Sequence, residues 1–196
     1  MSVQCRVSTC PRPLDPLGDG SLCNLHRKIL TRNGSLEFAP IKGPDRKPFI
    51  EAAAKALKGS PVLSEINQLL ESCRPWLCPQ ADVLRRGWLP KEKAKAILAR
   101  IHQQRGGDAA LGVLAAFLGT ASMPMQTSDP RYLKAQVARA VFRLLRSDNI
   151  TLYGVTRRSR IGAQGWRIPA ALYDLIDAIA WPLRSSATGL RKKGVD

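Results

Sequence analysis

Three cysteines and a histidine near the N-terminus, Cys5, Cys10, Cys23 and His26, follow the spacing C-x4-C-x12-C-x2-H. A ligand set of this kind ties distant positions to one point, which constrains the fold more than any other feature of the chain. Zinc takes four ligands in a tetrahedron, and thiolates with one imidazole are a common structural set. Between the two pairs stand Pro11, Pro13, Pro16, Gly18 and Gly20, turn residues that let the chain double back. The pattern predicts a zinc knuckle, with Zn2+ in a structural role.

Cys23 and His26 open a helix predicted over Leu22 to Arg32 and ended by Asn33-Gly34. Ligands three apart on a first helical turn point the same way, so the ion pins a hairpin to a helix N-terminus. The stretch Ser21-Leu-Cys-Asn-Leu-His-Arg-Lys-Ile-Leu-Thr-Arg-Asn-Gly34 resembles the short treble-clef-like zinc modules of phage and bacterial DNA-associated proteins, some of which sit beside HNH nuclease domains. The resemblance covers residues 1–36 and implies that the knuckle thiols Cys5 and Cys10 share the metal with Cys23 and His26. An odd total of five cysteines, with no signal peptide, fits a reducing cytoplasm rather than disulfides.

Charge narrows the partners. The chain carries 31 Lys and Arg against 15 acids, a formal +16 over 196 residues, more than solubility requires. Such an excess points to a polyanion, nucleic acid before an anionic membrane surface. Half of it, +8, lies in residues 131–167, where nine basic residues face the single acid Asp148. No apolar run is long enough to span a bilayer, so no membrane partner is expected.

After residues 1–36, the Pro- and Gly-rich stretch 37–47 reads as a linker that lets the zinc module move. Residues 48–183 then read as a helical nucleic-acid-binding domain. Phe49, Ile50, Ala53, Ala54 and Leu57 repeat with helical period, and Leu63, Ile66, Leu69 and Leu70 do so after Ser60-Pro61. Pro90 to Arg105 stacks Ala94, Ile97, Leu98 and Ile101 on one face, with Lys91, Lys93, Lys95 and Arg100 elsewhere. Asp108 is the expected N-cap of a nearly all-apolar central helix halted by Gly119. Asp129-Pro130, a cap and a first-turn proline, opens a helix to Arg146. Ile150 to Val155 and Gly165 to Ile168 read as a β-hairpin around an Arg-rich loop. A helix over Pro169 to Ala180, ended by Trp181-Pro182, closes the domain, and residues 184–196 form a basic tail expected to be disordered. The fold class expected is mainly α, with a winged-helix-like end.

The candidate nucleic-acid surface lies on the Pro130 to Arg146 helix. Leu133, Val137, Val141, Leu144 and Leu145 form its core stripe, while Tyr132, Gln136, Arg139, Arg143 and Arg146 share the other face. A helix fits the major groove, where Arg bonds guanine and Gln bonds adenine bidentately. Arg157, Arg158 and Arg160 would form a wing tip and Arg167 would lie on the returning strand. Cys73 and Cys78 repeat the x4 spacing but have no complementary pair, so they read as buried thiols. Trp76, Trp88 and Trp166 read as core anchors rather than base-stacking platforms.

Catalysis finds few candidate groups. One of the two histidines is a metal ligand, and His102 stands among Gln and Arg with no HNH, His-Glu-x-x-His or paired-acid pattern. No Walker or dinucleotide glycine motif is present. The expectation is a non-enzymatic, cytoplasmic protein that binds double-stranded DNA and controls transcription or replication initiation, of phage, plasmid or mobile-element type. The rivals are an RNA or ribonucleoprotein binder, and an adaptor that holds a host polymerase or replication protein through the zinc module.

Overall fold

Apolar residues at helical spacing dominate this chain, and the computed structural model turns almost all of them into helix. It describes residues 4–7, 9–14, 21–77, 89–125, 127, 129–145 and 167–192. In chain order the helices are α1 (Asn24–Asn33), α2 (Gly43–Leu57), α3 (Val62–Ser72), α4 (Pro90–Arg105), α5 (Ala109–Ala121), α6 (Pro130–Phe142) and α7 (Arg167–Lys192). A 3-10 turn, Arg74–Trp76, follows α3. Among the described residues the only β pairing is the isolated bridge between Gln4 and Pro13. None of the described helices is long and apolar enough to cross a membrane.

Helix α5 is the centre, as its apolar circumference requires. It packs against α2, α3, α4, α6 and α7, and Val113, Leu114 and Phe117 are fully buried. Gly119 does not end this helix, which continues to Ala121. It marks instead the crossing with α2: a Cβ there would lie 2.6 Å from the Cα of Ile50 and 2.7 Å from its nitrogen. Backbones this close exclude any side chain, so a position that reads as a stop signal is a packing requirement.

Two helix starts follow the sequence closely. The Asp129 carboxylate accepts the Arg131 N–H at 2.8 Å, capping α6. The Glu92 carboxylate reaches back to the Leu89 N–H at 2.6 Å at the start of α4. Asp108 makes no side-chain cap; a 3-10 turn, Gly106–Asp108, leads straight into α5. Lys93, expected off the apolar face of α4, is buried.

The C-terminal region departs further from expectation. Arg167 and Ile168 open α7 rather than closing a strand, so a hairpin ending at Ile168 and a winged helix built on it are not found. Ile168, Leu172, Ile176 and Ala180 are all buried at i, i+4, i+8 and i+12, one continuous helical row. Pro169 marks the first turn without being its first residue, because early helical N–H groups have no intrahelical acceptor to lose. The helix also runs through Pro182 to Lys192, so residues 184–192 of the expected tail are helical. The other expected strand, Ile150 to Val155, and the loop Thr156 to Gln164 lie outside the described residues, as do Cys78, Trp88 and Trp166.

Candidate metal centre and the helix behind it

The N-terminal module builds its site from short local turns. Cys10 N–H bonds Val7 O at 2.8 Å, Cys5 N–H bonds Arg12 O at 3.3 Å and Arg6 N–H bonds Ser21 O at 2.8 Å, so the chain folds back on itself and meets the start of α1. Cys23 is the N-cap of α1 and His26 lies in its first turn. Cys5, Leu22 and Cys23 are buried, with Val7, Cys10 and Leu30 packed around them.

Four ligand atoms converge. Those of Cys5, Cys10, Cys23 and His26 all lie within 4.8 Å of one another. The Cys10 and Cys23 sulfurs are 3.8 Å apart. His26 Nδ1 lies 3.3 Å from Cys5 Sγ and 3.5 Å from Cys23 Sγ. A tetrahedral ion with metal–sulfur bonds of about 2.3 Å and a metal–nitrogen bond of about 2.0 Å separates its sulfurs by about 3.8 Å, and sulfur from nitrogen by about 3.5 Å. These residues could therefore hold one metal ion.

Electrostatics favours the same outcome. Burial pushes the Cys5 thiol up, but the N–H groups of Cys23 and Val7, with His26, hold it below the ordinary range. The His26 N–H draws Cys23 down against its burial. Cys10 is held up: the Arg12 N–H lowers it, and burial with the adjoining Cys23 sulfur outweighs that. Three thiolates in one place repel, and a divalent cation lets all three ionise together.

The module does not hang free. Gly34, in the left-handed conformation at φ 76°, donates its N–H to Leu30 O and ends α1. It also touches α6, where a Cβ would meet Arg131 O at 2.5 Å. The Gln136 amide donates to Asn33 O and accepts from Ile41 N–H, both at 3.0 Å. Tyr132 Oη donates to Ala39 O at 2.7 Å, and Phe38 packs on the Tyr132 ring with centroids 5.8 Å apart. The stretch 37–47, expected to be a mobile linker, is thus pinned along α6, and its last residues already belong to α2.

This packing reassigns the polar row of α6. Gln136 is 0% exposed and Tyr132 5%, so neither presents itself to a groove. Arg139 is half-buried and Arg143 exposed, and α6 ends at Phe142 rather than Arg146. Arg167 is exposed at the start of α7, while Arg146, Arg157, Arg158 and Arg160 lie outside the described residues. Arg46, inside the stretch read as a linker, is 2% exposed. Its Nη2 donates to Ile41 O at 2.6 Å and Nη1 to Gln136 O at 3.5 Å. A cation inside a Pro- and Gly-rich stretch offers no sequence signal of burial.

Two other sites stay apart from this one. Cys73 is buried in the helical core, where desolvation raises its thiol. His102 Nε2, on α4, lies 2.8 Å from Glu71 Oε1, on α3. No known family matches the chain, and neither the curated proteins nor the solved structures compared with it contain a match.

Proposed function

We infer that the protein binds double-stranded DNA chiefly through its phosphates, with a structural zinc fastening residues 4–34 against α6. The observation that carries this reading is the charge: +16 overall, half of it within residues 131–167. A cationic excess of this size matches a polyanion and gives affinity that falls steeply with salt. The half-buried Arg139 and the exposed Arg143 can meet phosphates at the edge of α6. Base reading along that helix is reduced to them, since Gln136 and Tyr132 are engaged internally. A role in transcription or replication initiation follows from the resemblance of the zinc module alone.

Zinc is the metal this reading assigns. Three thiolates and one imidazole form a closed set that leaves no position for substrate water, the mark of a structural rather than catalytic ion.

The test is binding of a labelled duplex of mixed sequence by anisotropy between about 50 and 200 mM salt. Affinity is expected to fall linearly on a log–log scale, and Arg139→Gln should reduce the slope by about one. Failure to bind the duplex at low salt would refute the reading. Selection from a random DNA pool then measures sequence preference, and tighter binding to an A-form RNA duplex would favour the RNA rival.

A further inference from the structure

The three thiols of the candidate metal centre are not equally shielded. Cys5 and Cys23 are buried, while Cys10 is half-buried in the turn between Val7 and Arg12, outside any helix. Its sulfur stands 3.8 Å from that of Cys23, which is the N-cap of α1 and so lies at the helix end rather than inside it. We propose that Cys10 is a site of reversible oxidation, at which a hydroperoxide joins Cys10 to Cys23, releases the metal and frees residues 33–41 from α6.

The chemistry needs only the two neighbouring sulfurs and the peroxide. A metal-bound thiol is held as thiolate, the nucleophilic form. The Cys10 thiolate attacks one peroxide oxygen, the O–O bond breaks, Cys10 becomes a sulfenic acid and hydroxide leaves. The Cys23 thiolate then attacks the Cys10 sulfur, forming the S–S bond and expelling the second hydroxide. Two thiolates have lost one electron each, one peroxide has gained both, and solvent protons turn the hydroxides into water. In a reducing compartment such a disulfide is transient, which suits a sensor rather than a staple.

The fold carries the change away from the metal. Cys5 and His26 alone cannot close a tetrahedron, and the core beside them, Cys5, Leu22 and Cys23, is small. Helix α1 thereby loses its anchor at one end, while its other end bears the link to the bundle. Asn33 O accepts from the Gln136 amide, and the Gln136 side-chain oxygen accepts from Ile41 N–H. Ile41 O and Gln136 O in turn hold the buried guanidinium of Arg46. A cation taken from water and held by carbonyl oxygens regains hydration when the segment around it opens, so this latch is poised to release.

The proposal rests on the structural zinc assigned above and is independent of the DNA partner. The experiment loads the full chain with zinc under reducing conditions, removes the reductant and adds hydrogen peroxide in steps while a chromogenic chelator reports free metal. Release of about one zinc per chain is expected, with about one peroxide consumed for each. Differential alkylation and peptide mapping should find Cys10 joined to Cys23, with Cys5 and Cys73 free, and hydrogen exchange should show Ile41 N–H losing protection. A thiol reductant with added zinc should restore the metal and the protection. Cys10→His keeps four ligands and should retain zinc at the peroxide dose that empties wild type.

A chain that takes up no zinc under reducing conditions overturns both the zinc assignment and the proposal. Zinc that is bound but not released, at doses that oxidise a free cysteine peptide, overturns the proposal alone. So does release without a Cys10–Cys23 link, or equal release from a zinc-loaded Cys10→His. Where that variant binds no metal, the disulfide mapped in wild type decides. Unchanged protection at Ile41 after release would refute the coupling to α6.

Discussion

Replacing Gln136 by leucine asks what the polar row of α6 is for. Leucine has nearly the volume of glutamine, so the change removes the hydrogen bonds without opening a large cavity. Two contacts go: the donation to Asn33 O and the acceptance from Ile41 N–H. The Asn33 carbonyl and Ile41 amide are left in a part-buried setting, where an unmet group costs about 1–3 kcal/mol. Partial access to water puts each at the lower end, so the expected loss is about 2 kcal/mol in all. For a chain of this size that lowers Tm by about 4–8 °C. Thermal unfolding measures the loss, and hydrogen exchange should show Ile41 N–H less protected. A Tm within about 1 °C of wild type, together with weaker sequence preference on DNA, would refute the reasoning. Gln136 would then be a reading residue on an open face rather than the latch that holds residues 33–41.

Chelation, or Cys23→Ser, should release close to one zinc per chain and loosen residues 4–34, because a core of Cys5, Leu22 and Cys23 is too small to persist without the ion. Protection at Ile41 should fall as well; a helical body wholly indifferent to chelation would contradict the contacts through Gln136 and Gly34. Lowering the pH should also release the metal, since protons compete for three thiolates and an imidazole, and metal analysis after dialysis at stepped pH would show retention rising from acid towards neutrality. Gly119→Ala places a Cβ 2.6 Å from the Ile50 backbone and should destabilise by about 1–3 kcal/mol or more in urea titrations; a neutral result would mean that α2 and α5 separate readily. No divalent-metal-dependent cleavage of DNA or RNA is expected, and nicking that disappears in His102→Ala would overturn the non-enzymatic reading.

Local chemistry was legible in the sequence, and relations between distant segments were not. Cys5, Cys10, Cys23 and His26 announced a metal-ligand set because ligand type and spacing are one-dimensional facts, and Asn33-Gly34 and Asp129-Pro130 announced helix ends for the same reason. Hydrophobic period located most of the helices, since it records which face is buried, but not what covers the remaining face. That is why Gln136 read as a base-reading residue: the segment that buries it, Asn33 to Ile41, lies about a hundred positions away. Gly119 read as a terminator because a single sequence cannot show a second backbone crossing at that point. Ile168 read as the end of a strand because its helical partners Leu172, Ile176 and Ala180 lie beyond Pro169, which resembled a boundary. The burial of Arg46 beside Arg143 was decided only in three dimensions, where packing brings two basic segments together against ordinary Coulomb repulsion. A sequence lists charges but carries no distances between them.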